Sequence, residues 1–211
     1  MITFIHIGKC GGSTIKRTLI DNAVKFRHIH LKRPEHEPDS KYLIALRNPV
    51  ERFISAFYWR RFLLLSGQEA GGKELEFYKE YKDLNNLCEH LFDENSNLNP
   101  LIDSKIHQHY TCGHPSHVGM GIDYYIGGIT RELTPKNVFG AICTETLSQD
   151  MKRLFDVEVT RHARKNSANK LETTQQSRFL LKKYLAKDYQ CIDKLYLSNI
   201  LSEEQYEILK T

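Results

Sequence analysis

The sequence lacks any apolar stretch long enough to cross a membrane. Its uninterrupted hydrophobic runs, such as residues 62–65, fall far short of the ~18 residues that a spanning helix requires. The start of the chain has no positively charged leader and no small-residue cleavage site, and Met1 to Phe4 is instead typical of a strand. We therefore expect neither a transmembrane segment nor a signal peptide.

Signals for disulfides and for glycosylation are also missing. No Asn-x-Ser/Thr sequon with an allowed middle residue occurs, and no two cysteines form a CxxC pair. The cysteines are odd in number and scattered along the chain: Cys10, Cys88, Cys112, Cys143 and Cys191. These features favour a reducing compartment, and we expect a cytoplasmic protein.

The chain has no strong excess of charge of one sign. Its 30 Lys and Arg residues against 26 Asp and Glu residues give a formal net charge of +4, which is too weak to indicate nucleic acid as a partner. Hydrophobic residues at 40% and charged residues at 27% are typical of a soluble globular protein and exclude a disordered or collagen-like chain. Without repeats or a linker, residues 1–211 are predicted to form one domain.

The first third of the chain alternates between strand and helix patterns. Residues 2–7 and 42–46 are rich in apolar and β-branched side chains and are predicted as strands, whereas 15–23 and 49–65 have helical spacing. Each strand leads into a helix, the second of them through Pro49 at the first helical position. This alternation predicts an α/β fold with a parallel sheet and helices on both of its faces.

Shorter elements are predicted for the rest of the chain from spacing, turn residues and capping residues. They are a helical region over 74–92, a loop over 93–100, an irregular segment over 103–122, strands over 124–126 and 138–143, a helix over 146–155 and two short helices within 177–209. Because functional residues often lie on irregular segments, the histidine-rich region 103–122 is a candidate part of a site.

The loop after the first predicted strand has the composition of a phosphate-binding loop: Gly8-Lys9-Cys10-Gly11-Gly12-Ser13-Thr14. Glycines let backbone N–H groups approach a phosphate at a helix N-terminus, while the lysine adds a cation and the two hydroxyls add donors. By itself the pattern is equally typical of a tight turn with a surface lysine. The lysine precedes the glycine pair, unlike the Walker pattern G-x-x-x-x-G-K-S/T, which disfavours ATP or GTP as the ligand.

A second anion-binding pattern follows the second predicted strand: Arg47-Asn48-Pro49-Val50-Glu51-Arg52-Phe53-Ile54-Ser55. Ligands of open α/β sheets bind at the carboxyl ends of strands, where Arg47 is predicted to lie. A guanidinium suits a phosphate, and Ser55, two helical turns later, could add a hydrogen bond. The alternative is that Arg47 and Arg52 are solvated residues at the start of a helix. Two such elements on one sheet predict a ligand with two separated phosphates.

Both patterns resemble the cofactor signatures of the 3′-phosphoadenosine 5′-phosphosulfate-dependent sulfotransferases, in particular the carbohydrate branch that includes heparan sulfate 2-O-sulfotransferase. Residues 4–14 resemble its 5′-phosphosulfate loop, with Gly8 where the family usually has proline, and 47–55 resemble its 3′-phosphate motif, R-D/N-P-x-x-R-x-x-S. The resemblance implies a P-loop-like fold. It also implies that the 5′-phosphosulfate is bound by Lys9, Cys10, Gly11, Gly12, Ser13 and Thr14, and the 3′-phosphate by Arg47 and Ser55.

A His-x-His pair, His28 and His30, lies between the two motifs, where the 2-O-sulfotransferase branch carries such a pair. The resemblance implies that His30 is the general base for the acceptor hydroxyl, with His28 supporting it or contacting the acceptor. Lys9 is implied to stabilise the charge that develops during transfer. Without the flanking motifs, the pair would be more typical of strand-surface histidines.

Weaker similarity covers the second half of the chain. Residues 108–114 resemble a segment that lines the acceptor cleft in this branch, and Glu145 occupies a usual glutamate position. Arg164 and Lys165 resemble a basic segment that closes over the nucleotide. No glycine follows Gly140, whereas the cytosolic enzymes for phenols and steroids carry a glycine-rich closing motif, so the carbohydrate branch is the better match.

The reaction implied is transfer of a sulfuryl group to an acceptor hydroxyl, on a carbohydrate, leaving adenosine 3′,5′-bisphosphate and using no metal. Two other hypotheses stay open. A magnesium-dependent P-loop phosphotransferase would need an acidic residue where Arg47 stands. A zinc-binding interaction module has suitable ligand types, although their spacing matches no zinc-finger pattern, in His107, His109, Cys112, His114 and His117.

Overall fold

A computed structural model describes residues 1–69, 72–108, 116–160 and 172–211. At its centre are four parallel strands, β1 (Ile2–Ile5), β2 (Phe26–Ile29), β3 (Lys41–Leu46) and β4 (Val138–Cys143), in the order β2-β1-β3-β4. Helices flank this sheet. The predicted α/β class and the parallel sheet are therefore confirmed.

The helices of the described ranges are bounded as follows: α1 (Gly12–Asp21), α2 (Pro49–Leu65), α3 (Gly72–Glu80), α4 (Leu84–Glu89), α5 (Pro100–His107), α6 (Ile122–Ile126), α7 (Leu147–Phe155), α8 (Gln175–Tyr184), α9 (Ala186–Leu197) and α10 (Glu203–Lys210). The helix predicted over 49–65 is confirmed, and Asn48 caps it by accepting a hydrogen bond from the Glu51 N–H group at 3.1 Å. No helix in these ranges is long and apolar enough to span a bilayer.

The order of the strands creates a switch point beside β1. β1 pairs with β2 on one side and with β3 on the other, so Ile5 lies opposite both Ile29 and Ile44. The chain therefore leaves β1 in one direction to form β2 and crosses back to form β3. In open α/β sheets, ligands bind outside the carboxyl ends of the strands at such a point. The loop after β1 and the residues after β3 meet at this edge.

The strand predicted over 124–126 is wrong, because this segment lies in helix α6. The buried carboxylate of Asp188, on α9, accepts a hydrogen bond from the Asp123 N–H group at 2.9 Å. This contact satisfies a backbone donor in the first turn of α6 and ties the helix to α9. A tertiary contact has here overridden the strand preference of two tyrosines and an isoleucine.

Three other predictions need correction. The segment 103–122 is not irregular throughout, since α5 extends to His107 from a start fixed by Pro100 and by the Asn99 cap. The helical region 74–92 is split into α3 and α4, because Asp83 caps a new helix. The C-terminal region holds three helices, α8 to α10, instead of two. Strand β2 was not predicted, since its two central residues, Arg27 and His28, are both polar and interrupt the alternation of polar and apolar residues that is typical of a strand.

Asp150, on α7, joins the edge of the sheet to two helices. One carboxylate oxygen of this buried side chain accepts hydrogen bonds from the Cys143 N–H group and the Thr146 hydroxyl, both at 2.9 Å. The other accepts from Gln205, on α10, and from Arg153, again at 2.9 Å. All these partners are donors, so the position requires an ionised carboxylate.

We expect Asp150→Asn to lower the free energy of unfolding by about 2 kcal/mol, because the new amide group places a donor against buried donors. Urea denaturation monitored by circular dichroism measures the change. The matched control is Asp156→Asn at the end of the same helix, where an exposed ion pair with Lys152 contributes little to stability. Equal losses in the two variants would contradict this account of Asp150.

Candidate functional site

The loop between β1 and α1 depends on two glycines. Gly11 has a φ of 70° and is the N-terminal cap of α1, a left-handed conformation that glycine adopts without steric cost. The α-carbon of Gly12 packs against the ring of His6 so closely that an added Cβ would lie 1.9 Å from the His6 Cδ2 atom. Any side chain at Gly12 would displace that ring.

The start of α1 offers several unpaired backbone donors. Among the described residues, no backbone acceptor takes the N–H groups of Gly11, Gly12 or Ser13. The helix has no side-chain cap and no acidic residue in its first turn. Because a helix N-terminus carries partial positive charge, this arrangement favours an anion. The exposed Ser13 and the buried Thr14 lie in this first turn as well.

Lys9 extends from the loop toward α2. It has a φ of 70°, which is uncommon for a residue with a side chain, and such strain occurs often at functional sites. Its ammonium lies over the ring of Trp59, 4.5 Å from the ring centroid. Trp59 was not assigned to the site from the sequence, because its position in a helical pattern does not indicate that its side chain faces the loop.

Cys10 has its side chain turned away from the site. The thiol is buried and donates weakly to the Gly8 carbonyl at 3.9 Å, while its N–H group donates to the Ile7 carbonyl at 3.2 Å. Burial raises the pKa of Cys10 to about 12. It is therefore a neutral, unreactive spacer, and its side chain is not available to a ligand.

Arg47 follows β3 and reaches the loop. Its NH1 group donates to the Lys9 carbonyl at 3.4 Å, which brings the two sequence motifs into contact. Two carboxylates flank the guanidinium loosely, with N–O distances of 3.9 Å to Glu51 and 3.7 Å to Glu145. The buried Nε atom has no hydrogen-bond partner among the described residues. Because only 19% of the side chain is exposed, the alternative of a solvated residue is wrong for Arg47.

Arg52 and Ser55 are both buried within α2. The guanidinium of Arg52 donates to the carbonyls of His117 at 2.8 Å and Val118 at 3.3 Å, so this arginine fixes the segment beside the loop. The alternative of a solvated helix-start residue is thus wrong for Arg52 too. Ser55 is not among the polar contacts that Arg47 makes with the described residues.

Four histidines form what we call the histidine cluster: His6, His28, His30 and His117. The Nδ1 atom of His6 and the Nε2 atom of His28 share a hydrogen bond of 3.0 Å. The rings of His6 and His30 stack with centroids 4.0 Å apart and planes 14° apart, and the ring of His117 meets His30 edge-on at 5.7 Å. The sequence had indicated only His28 and His30 as base residues.

The pairing of β1 with β2 is the information that would have assigned His6 to the site. Phe4 lies opposite His28, and side chains two positions apart share a face of a strand. This register brings His6 to the face that holds His28 and His30. Without knowledge of that pairing, the sequences of the two strands do not indicate that His6 lies near His28 and His30.

Burial keeps His6, His28 and His117 uncharged. Desolvation by burial is the main reason why the pKa of His6 falls to about 2, that of His117 to about 3 and that of His28 to about 4. Neighbouring basic groups lower these pKa values further. The Nδ1 atom of His30 lies 2.8 Å from the His6 carbonyl oxygen, which can only accept, so Nδ1 carries the hydrogen. In the neutral ring, Nε2 is then the atom that can take a proton.

The predicted zinc-binding set is only partly described. His109, Cys112 and His114 lie outside the described residues, as do Arg164 and Lys165. His107 contacts Asp103 within α5, at 3.0 Å from its carbonyl, whereas His117 belongs to the histidine cluster. Within residues 1–69, 72–108, 116–160 and 172–211, no group of three or more His, Cys, Asp or Glu side chains could hold a metal ion.

A cavity of about 370 Å³ lies beside Arg47. It is bordered by the two carboxylates that flank Arg47, and Arg178 closes one side through an ion pair of 2.8 Å with Glu51. The other lining residues are Asn48, Val50, Phe179, Lys182, Tyr189, Ile208 and Thr211. The lining thus combines apolar and aromatic surface with charged groups of both signs, which suits a heterocyclic ligand.

No family model, no curated protein and no solved structure matches this chain. Its function is therefore inferred from the geometry and chemistry of the site.

We expect the melting temperature to fall as the pH drops from about 6.5 toward 4, because the unfolded chain takes up protons at the ordinary histidine pKa of 6.5 before the cluster does. Stability is full above that value. Thermal unfolding over this range measures the slope. His28→Gln removes one depressed group and makes the slope shallower, while His36→Gln, at an exposed histidine, leaves it unchanged. A melting temperature independent of pH would contradict the burial of neutral histidines.

Proposed function

We propose that this protein transfers the sulfuryl group of 3′-phosphoadenosine 5′-phosphosulfate to a hydroxyl group of a carbohydrate acceptor. The contact that carries the proposal is the 3.4 Å hydrogen bond from Arg47 to the Lys9 carbonyl. It joins a strand-end arginine to a glycine loop at the switch point of the sheet. Two elements that suit anions and lie in contact with each other fit a nucleotide with phosphates at both its 3′ and 5′ positions.

The loop would hold the 5′ end of the nucleotide. The N–H groups of Gly11, Gly12 and Ser13 and the ammonium of Lys9 supply fixed positive charge where negative charge grows during transfer. Preorganised donors of this kind contribute about 3 kcal/mol each to the transition state. Because these groups already stabilise the developing charge, the proposed mechanism includes no metal ion.

Arg47 would bind the 3′-phosphate and thereby distinguish this nucleotide from ATP. Its buried Nε atom lacks a hydrogen bond to any described residue, and its two carboxylate neighbours stand at 3.7 and 3.9 Å, too far for hydrogen bonds. A phosphate would give the guanidinium a close partner. The adjoining cavity offers Phe179 and Tyr189 to a nucleobase.

His30 would act as the general base. The proton of the acceptor hydroxyl passes to the Nε2 atom of His30 as that oxygen bonds to sulfur. The bond from sulfur to the phosphate oxygen breaks, and adenosine 3′,5′-bisphosphate is released. The His6 carbonyl, which accepts from Nδ1, stabilises the imidazolium that forms.

A carbohydrate is the acceptor that the surroundings of Lys9 support best. The ring of Trp59 is partly exposed and lies next to the Lys9 ammonium, and Phe62 packs beside it with ring centroids 6.4 Å apart. A partly exposed aromatic side chain with a polar group close to it suits a sugar ring. We place the reaction in the cytoplasm, which is supported by the free thiols of Cys10, Cys88, Cys143 and Cys191.

Calorimetric titration tests the nucleotide assignment. Wild-type protein should bind adenosine 3′,5′-bisphosphate more tightly than AMP, and Arg47→Ala should weaken only the bisphosphate, by about 10- to 100-fold or about 1.4 to 2.7 kcal/mol. Arg17→Ala, at a largely exposed arginine on α1, is the matched control and should bind like wild type. Equal affinity of the two nucleotides for wild type would contradict the assignment. Tighter binding of ATP with Mg²⁺ would instead favour a phosphotransferase.

Transfer of radiolabelled sulfate to glycans, phenols and peptide tyrosines tests the reaction. We expect glycans to be labelled, Lys9→Ala to lose about 100-fold or more in kcat, and His30→Ala to lose about 100- to 10,000-fold. Lys25→Ala and His36→Gln change exposed residues of the same types and should keep full activity. Labelling of phenols or tyrosines alone would refute the carbohydrate acceptor, and labelling of nothing would refute the proposed reaction.

A further inference from the structure

His6 is the point at which the phosphate-binding loop and the proposed base meet. Its ring packs on the α-carbon of Gly12, in the first turn of α1. On its other side, the same ring stacks on His30 at 4.0 Å, and its own backbone carbonyl accepts from the His30 Nδ1 atom at 2.8 Å. The side chain is only 7% exposed. A single buried residue therefore touches both halves of the site.

We propose that His6 is a positioning residue, which holds His30 in one orientation and one tautomer and fixes its distance from the loop through Gly12. The role of His30 as a base rests on the proposed function, whereas the packing of the three residues does not. His6 itself would touch neither the nucleotide nor the acceptor, since it lies beneath both the loop and the base.

The ring of His6 can do this because it stays neutral. The titratable groups that face it are His28 from β2, His30 from the position after β2, His117 from the segment between α5 and α6, and Lys16 from α1, and all of them are bases. The fifth neighbour is the parallel ring of Phe4, on β1, at 5.8 Å. No acid faces His6 in the described ranges, so a positive charge on the ring would be buried without a negatively charged partner and repelled by its basic neighbours. The ring therefore packs in its neutral form.

Two contacts of His6 can be separated by substitution. His6→Asn keeps a polar group near the position of Nδ1, within reach of His28, but removes the ring that stacks on His30. His6→Phe keeps a ring in the stack but removes the hydrogen bond of 3.0 Å to His28. If stacking is what positions His30, the two variants must differ. The backbone carbonyl that accepts from His30 remains in both.

Nitrogen-15 NMR of the histidine rings in the nucleotide-free protein is the first readout, with the signals of His30 identified by their loss in His30→Gln. We expect wild type and His6→Phe to show the Nδ1–H tautomer of His30 and His6→Asn to show a mixture of tautomers. His36→Asn, at an exposed position, is the matched control and should match wild type. Circular dichroism confirms that each variant is folded, and if His6→Phe does not fold, His6→Asn decides alone.

The pH profile of kcat is the second readout, because a merely structural role would lower activity without moving the profile. In His6→Asn we expect kcat to fall about tenfold or more with a shifted profile, while KM for the nucleotide changes less. An unchanged tautomer and an unchanged profile in His6→Asn would overturn the role of His6. If wild type transfers no sulfate and His6→Asn still loses the single tautomer, the proposed function fails and the positioning role stands.

Discussion

The pairing of β1 with both β2 and β3 is the constraint on which the whole site depends. Because all three strands are parallel, they end at one edge of the sheet, and whatever follows each of them is brought to the same place. The glycine loop follows β1, His30 follows β2 and Arg47 follows β3. Lys9 and Arg47, which are 38 positions apart in the sequence, thus become neighbours at an edge that is held by hydrogen bonds of the backbone.

Two arrangements of side chains support this edge. In the histidine cluster, the buried rings of His6 and His117 stay neutral because burial and neighbouring bases depress their pKa values, and His6 stacks on His30. Beside the loop, the fully buried Arg52 donates to two backbone carbonyls and fixes His117 against Gly8. The backbone of Lys9 and the side chain of Arg47 are thereby held next to each other within a packed frame.

Much of the fold could be predicted, and the exceptions share one cause. Strands β1, β3 and β4 and helix α2 have strong local signals: continuous apolar runs for the strands, and for the helix a proline and a capping asparagine. The strand predicted over 124–126 was wrong because the carboxylate of Asp188, 65 residues away from Asp123, stabilises a helix there. Strand β2 was missed because its two central residues, Arg27 and His28, are polar, and it is its pairing with β1 that makes it a strand. In both cases a contact between distant residues outweighs local preference.

The sequence by itself determined the chemistry that is available: glycines, a lysine and hydroxyls between a strand and a helix, and an arginine at the end of a second strand. These are short patterns, and the backbone preferences that produce them act over a few residues. The tertiary structure alone decided that Arg47 touches Lys9, that Cys10 turns inward and that His6 lies between Gly12 and His30. Such contacts depend on the register and order of the strands, which arise only when the whole core packs.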